Sequence, residues 1–213
     1  MSIASVPEAI AAYKTGEVVI IVDDEDRENE GDLTIAADFV TPEQVNFFAK
    51  EGRGLICCAM APSLIDKLGL LQMVAPEENR SGFGTPFTIS VEAAEGVTTG
   101  ISAFDRAHTI RTLIDPESSR GDIVTPGHTF PLRARENGVL ERDGQTEASV
   151  DLAKLAGLSH AAMICEVMND DGTMARLPDL EVFAEKHGLK IITVKAIADY
   201  RHATEGQSLK ATG

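Results

Sequence analysis

Apolar positions recur along this chain with two spacings, and the spacings alternate. From Val6 to Lys14 they fall on one face of a helix, with Gly16 as its stop. Val18 to Val22 is an unbroken β-branched run of the kind that fills a buried strand. Thr41-Pro42-Glu43-Gln44 predicts a helix start: Thr caps, Pro opens the first turn, and Gln follows three residues after the cap. Val45, Phe48 and Ala49 then share a face. Leu55 to Met60 reads as a strand, Ser63 to Leu68 as a short helix closed by Gly69, and the alternation of Phe87, Ile89 and Val91 as a half-buried strand.

Further on, Ser102 with Asp105 predicts another capped helix, reaching about Leu113. Thr146 to Ala156 is helical, with Ala148, Leu152, Leu155 and Ala156 on one stripe and Gly157 as the stop. Ala161 to Met168 is a strand interrupted by one acid, Glu166. Asp179 to His187 is a helix ended by Gly188, and Lys190 to Val194 is the last strand. The polar tail after Tyr200 is expected to fray. Such mixing of strands and helices predicts a layered α/β or α+β fold. The 213 residues suit one domain spanning 1–213, with no internal repeat or linker.

Charge narrows the function classes. The chain has 34 acidic and 19 basic side chains, a formal net charge of −15. Nucleic-acid binders draw their affinity from a basic face, and basic patches also carry membrane-surface binding; neither is present. No apolar run approaches the length of a membrane span. Cys57, Cys58 and Cys165 are too few and too oddly spaced for a disulfide framework or a zinc cluster, and read as core thiols of a reducing compartment. The N-terminus lacks the pattern of a secretory signal, so the cytoplasm is the expected location.

Four stretches have the residue types of a reactive site. Asp23 to Asp32 reads DDEDRENEGD, seven acids in ten residues directly after a buried strand. Crowded carboxylates need relief from solvent, from Arg27 or from a cation, and magnesium or manganese suits such oxygen ligands. A solvated acidic turn accounts for the composition equally well. Leu140 to Glu147 reads LERDGQTE and precedes the Thr146 helix, whose N-terminus attracts anions. Arg142 is close enough to converge on the same spot, where a phosphate fits; an ordinary capped helix with a surface arginine is the alternative. Glu166 inside AAMICEVM is either desolvated, with its pKa raised for proton transfer, or turned to solvent. His128 in TPGHTFPL, between two prolines, reads as a loop histidine, available for proton transfer or merely structural.

Taken together, DDEDRENEGD, EAAEGVTTGIS, PGHTFPLRA, GVLERDGQTEASVDLAKLAG and CEVMNDDGTMAR resemble, in order and over nearly the whole chain, the 3,4-dihydroxy-2-butanone 4-phosphate synthases of riboflavin biosynthesis. The likeness is to the monofunctional form, without a fused cyclohydrolase domain. It implies a lyase that turns D-ribulose 5-phosphate into formate and 3,4-dihydroxy-2-butanone 4-phosphate with Mg2+ or Mn2+. The implied fold is a three-layer sandwich, a mixed twisted β-sheet flanked by helices. It also implies a homodimer with active sites near the subunit interface.

Carried over by position, the resemblance places Arg27 and Asp32 on the substrate and Glu28 on both metal and substrate. Arg142, Asp143, Gly144, Gln145 and Thr146 hold the phosphate end, and His128 and Glu166 match catalytic positions, Glu166 also touching substrate. Cys57, Glu30 and Thr99 line the pocket, and the acidic loop and the Asn79–Thr85 loop close over it. One position departs. Where the family's motif reads GHTE, with a metal-ligating histidine, this chain has Gln145. An amide oxygen can coordinate a hard cation but is neutral and exchanges no proton near pH 7. The site is then weaker, or impaired as in a non-catalytic sugar-phosphate binder, or compensated by His128.

Overall fold

The computed structural model describes residues 3–211, with side chains to residue 205. Its strands are β1 (Val19–Val22), β2 (Gly31–Ala36), β3 (Cys57–Met60), β4 (Val91–Ala93), β5 (Ile123–Arg133), β6 (Ala161–Glu166) and β7 (Lys190–Thr193). They form one mixed sheet in the order β4-β5-β3-β6-β2-β1-β7. The helices are α1 (Val6–Lys14), α2 (Pro42–Phe47), α3 (Pro62–Lys67), α4 (Ala103–Ile114), α5 (Gln145–Ala156), α6 (Leu177–His187) and α7 (Val194–Ala211).

Successive strand side chains point to opposite faces, and this sorts the core into two halves. Ile20, Leu33, Ile35, Cys58, Met60, Met163 and Cys165 pack with Val45, Ile65, Ile110 and Leu180 of α2, α3, α4 and α6. Val19, Ile21 and Ile192 turn the other way, against Ala9 of α1, Leu152 of α5 and Ile197 of α7. Cys57, Ala59, Ala162 and Ile164 meet Val150 on that same helix α5. The expected three layers follow. The α5 side also receives Asp32 and Glu166, which face each other in the antiparallel β2–β6 register.

The caps read from the sequence are present: Thr41 and Gln44 box the start of α2, and the Asp105 N–H donates to Ser102 Oγ at 3.0 Å. Gly157 ends α5 in the left-handed region at φ 73°, which a side chain would strain.

Four expectations need correction. The TPGHTFPL stretch is strand, not loop: it lies inside β5, an eleven-residue strand. Pro126 falls in the bulge left where β4 pairs only with 123, 124 and 129, so no ladder N–H is required of it. Pro131 stands opposite Cys58 in the parallel β3–β5 ladder, and its carbonyl accepts the Thr88 N–H at 3.0 Å. The alternation at Phe87 to Val91 produces isolated bridges at Phe87 and Thr88, and the strand proper is Val91–Ala93. α5 begins at Gln145, one residue early, with Gly144 as its cap. Val194 opens α7 rather than ending a strand, and α7 continues through the polar tail.

That last correction has a tertiary cause. Arg201 Nη1 donates to Asp151 Oδ2 and to the Asn137 carbonyl, both at 2.7 Å, and Asp151 also receives the Val139 N–H at 2.9 Å. A buried carboxylate on α5 thus ties down a helix whose own pattern is weak. Asp151→Ala takes from Arg201 its buried partner, leaving the more exposed Glu205 at 2.8 Å, and leaves the buried Val139 N–H without its acceptor; we expect a loss of about 3 kcal/mol in a urea unfolding titration. A loss within about 0.5 kcal/mol would show that α7 docks by apolar contacts alone.

Candidate active site

The acidic loop between β1 and β2 is built around Asp23. Its fully buried side chain accepts the Glu30 N–H at 2.8 Å through Oδ1, and the Glu28 N–H at 3.1 Å and Arg27 Nη1 at 2.6 Å through Oδ2. Arg27 is the relief the crowded carboxylates need. Its Nη1 also lies 3.2 Å from Glu28 Oε2 and donates to Gln145 Oε1 at 3.0 Å, joining the loop to the start of α5. From outside, Arg176 Nη1 donates to the Glu28 carbonyl at 2.8 Å and to that of Asn29.

Behind this loop lies a cavity of about 310 Å³. Glu28, Glu30, Asp32 and Glu166 line one part; Arg142, Gln145, Thr146 and Phe83 line another, with Cys57 in the wall. Acidic and basic side chains therefore line one space. A larger cavity of about 440 Å³ lies on the loop's far side, lined by Asp24, Glu25, Asp143, Leu177 and Lys195 and sharing Glu30. The predicted residues converge on the smaller one.

At the basic end, Arg142 Nη1 pairs with Glu147 Oε2 at 2.5 Å. Its Nε and Nη2 both donate to the Phe83 carbonyl at 3.3 Å. The Arg27 guanidinium lies 5.2 Å from the centre of the Phe83 ring. Gly144 makes this packing possible. A Cβ there would stand 2.3 Å from Arg142 Nη1 and 3.0 Å from Arg27 Nη2. Two guanidinium groups thus flank the N-terminus of a twelve-residue helix, an arrangement that favours an anion.

At the acidic end, the Leu55 N–H donates to Glu166 Oε2 at 2.8 Å, leaving Oε1 for other partners. Gly54 permits the approach, since a Cβ there would stand 2.5 Å from Glu166 Oε2. The carboxyl that burial pushes well above the usual range is Asp32, with the charges of Glu166 and Glu28 adding to the effect. Burial and Glu28 also raise Glu30. Burial first, then Glu166 and Asp32, push the Cys57 thiol far up, so it stays protonated near neutrality.

Most of the sequence-predicted set meets here. Five of its residues do not line the cavity: Arg27 and Gly144, which stand just behind it against Gln145 and Arg142, and Asp143, His128 and Thr99. Asp143 is 78% exposed, with Oδ1 3.8 Å from Arg27 Nε. His128 pairs with Glu92 on the outer part of β5 and is about half exposed, and Thr99 is exposed. Sequence reasoning assigned no role to Asp23 or Glu147. Asp23 had a readable signal, an Asp at the end of a strand poised to cap the following turn. Glu147 looked like an ordinary first-turn acid of α5.

No group of three or more His, Cys, Asp or Glu side chains among the described residues is arranged to hold a metal unaided. The donors nevertheless fit a hard cation. Glu28 and Gln145 each bring an oxygen to the same point, now shared with Arg27 Nη1, and Glu30, Asp32 and Glu166 add carboxylates to the cavity. Magnesium commonly takes only one or two protein oxygens and fills its shell with water and substrate.

Comparison with known proteins decides the family. The model of the 3,4-dihydroxy-2-butanone 4-phosphate synthases matches residues 7–200. The chain belongs to that synthase family. Its curated relatives include a 3,4-dihydroxy-2-butanone 4-phosphate synthase of Neisseria meningitidis serogroup A, 56% identical over 203 residues, 95% of this chain and 55% of that protein. The synthase of Agrobacterium fabrum is 52% identical over 94% of this chain and 93% of its own. The chain spans about half the length of most of the curated relatives it matches. Among solved structures, a synthase in complex with two magnesium ions superposes with a TM-score of 0.90 at 40% identity, covering 95% of this chain and 99% of that one. RibBX, a two-domain synthase of A. baumannii, gives 0.91 at 49% identity, covering 94% and 59%. The synthase fold, a mixed sheet between helical layers, is therefore this chain's fold.

A pH test follows from Asp32. Burial makes the folded protein hold this proton more tightly than the unfolded chain does. The fold gains from that proton in acid, and the gain is lost as pH rises from the ordinary carboxylate range through the raised value. Asp32→Asn removes the loss. We expect it to melt at a higher temperature than the parent at about pH 8, with the gap closing toward about pH 4. Equal melting temperatures at both ends would show that Asp32 ionises in the fold without cost.

Proposed function

We propose that this chain converts D-ribulose 5-phosphate to 3,4-dihydroxy-2-butanone 4-phosphate and formate, as a lyase of riboflavin biosynthesis in the cytoplasm. The observation that carries the reading is one cavity of about 310 Å³ lined by both Glu28 and Arg142, with room for a five-carbon sugar phosphate. The two products together hold all the atoms of the substrate. The reaction needs no oxidant, and the site needs only proton transfers and charge stabilisation.

Each part of the cavity has a role in this reading. The phosphate, with about −1.5 to −2 charges, sits against Arg142, Thr146 and the backbone of Asp143, Gly144 and Gln145. Arg27 orients the sugar and balances the loop carboxylates. Glu28 and Gln145 hold magnesium, or manganese in its place. When bound, that cation polarises the sugar's carbonyl and eases loss of the neighbouring proton. Glu166 Oε1 takes the C3 proton, its partner oxygen being occupied by Leu55 N–H. Asp32, raised by burial, brings a proton to the departing C1 hydroxyl. Phe83 and Thr85, from the Asn79–Thr85 loop, cover the cavity and shield reactive intermediates from water.

His128 fits best as a residue offered to a second copy of the chain. It lies outside its own cavity, and Gly100 packs against its partner Glu92. The adjoining Ile101 and Phe104 are 52% and 71% exposed, an apolar surface suited to a homodimer. Nothing in the geometry favours the impaired, non-catalytic reading of Gln145, whose amide is built into the Arg27 contact.

Two measurements test this. Incubation with D-ribulose 5-phosphate and magnesium should release formate, and EDTA should stop it. No formate from the parent, with release restored by Gln145→His, would leave the family standing and remove the activity. Separately, His128→Ala and Glu166→Gln should each be inactive alone, and a refolded mixture should regain about a quarter of parental turnover as mixed dimers form. A mixture as inactive as its components would return His128 to its own subunit.

A further inference from the structure

Glu147 stands on the third residue of α5, entirely buried, beside the phosphate end of the cavity. Both its oxygens are committed. Oε2 pairs with Arg142 Nη1 at 2.5 Å, and Oε1 accepts the Arg135 N–H at 3.1 Å. Its rotamer is therefore locked from two sides. Arg142 is itself only about 12% exposed, so its charge needs a partner inside the protein.

The consequence lies in which edge of Arg142 remains. With Nη1 taken, the Nε–Nη2 edge is the pair of parallel donors left over. Both converge on one acceptor, the Phe83 carbonyl, at 3.3 Å each. These are long contacts for a charged donor, which prefers about 2.7–2.9 Å. A single carbonyl oxygen is a poor match for a two-pronged fork, whereas two oxygens of a phosphate match it well. Phe83 and Arg142 both line the cavity, so the fork opens on the space the phosphate would fill.

Resting on the function proposed above, we infer that Glu147 is a positioning residue for phosphate recognition. It fixes the Arg142 guanidinium by one nitrogen and thereby presents the other two to the ligand. It touches no substrate atom and acts only through Arg142. Without it, the guanidinium is free to turn, and the same arginine offers its donors in many orientations. The alternative is that Glu147 merely stabilises the N-terminus of α5 through the helix dipole and Arg135.

Inorganic phosphate binding to the full chain, followed by phosphorus NMR titration, separates these, alongside steady-state kinetics with D-ribulose 5-phosphate. Glu147→Gln keeps the volume and the Arg135 contact but removes the charge that grips Arg142. We expect phosphate affinity to fall about tenfold and KM to rise by a similar factor, with kcat changing less than about threefold. Glu147→Asp keeps the charge but shortens the reach, and should weaken phosphate in the same direction by a smaller factor. Arg142→Gln should weaken it more, and the double variant Arg142→Gln/Glu147→Gln no further than Arg142→Gln alone. Phosphate affinity at the parental level in both Glu147 variants overturns the proposal, as do additive losses in the double variant. Should the parent chain itself fail to bind phosphate, the cradle and the function built on it fall together.

Discussion

Everything in the site hangs on where Arg27 puts its charge. A turn with seven acids does not settle beside a cavity by itself, because like charges at short range push it open. One guanidinium nitrogen sits among oxygens of Asp23, Glu28 and Gln145 and converts that repulsion into a bridge. The bridge crosses from the β1–β2 connection to the head of α5, two elements far apart in the chain. Asp23, buried and holding three donors, keeps the turn in one shape, so the arginine has a fixed place to start from.

From that fixed point the charges separate. The sheet supplies acids, through the β2–β6 register that sets Asp32 across from Glu166. Helix α5 supplies the positive end, with Arg142 and the open N–H groups after Gly144. Placing two carboxyls opposite each other costs free energy. Burial and the neighbouring charges push the Asp32 carboxyl up, and the Leu55 N–H holds one oxygen of Glu166. Two carboxyls are thus set apart by burial and hydrogen bonding, not by residue type.

Much of this was legible before any coordinates. The helix caps at Thr41 and Ser102 and the stops at Gly157 and Gly188 act locally, and local chemistry is written in adjacent residues. The ordered motifs brought Glu28, Asp32, Arg142, Gln145 and Glu166 to attention together, and the structure gathers them around one cavity. The misreadings share a cause. β5 hid behind two prolines because the strands that pair with it, β4 around Pro126 and β3 at Pro131, lie elsewhere in the chain. α7 hid because its apolar contact ends soon after Ile197, and a buried ion pair to Asp151 holds the turn beyond. The sequence left Glu166 either desolvated or turned to solvent, and gave no sign that burial raises Asp32 across the ladder. Each depends on a neighbour distant in sequence, which periodicity cannot report.

The crowding of acids also shapes the fate of Cys57. A sulfhydryl in a ligand cavity is usually a point of chemical vulnerability, since electrophiles and peroxides attack its ionised form. Here the neighbouring carboxylates and the lack of solvent both oppose that ionisation. The same crowding of acids therefore disfavours the thiolate of the adjacent sulfur, the form that alkylating agents and peroxides attack.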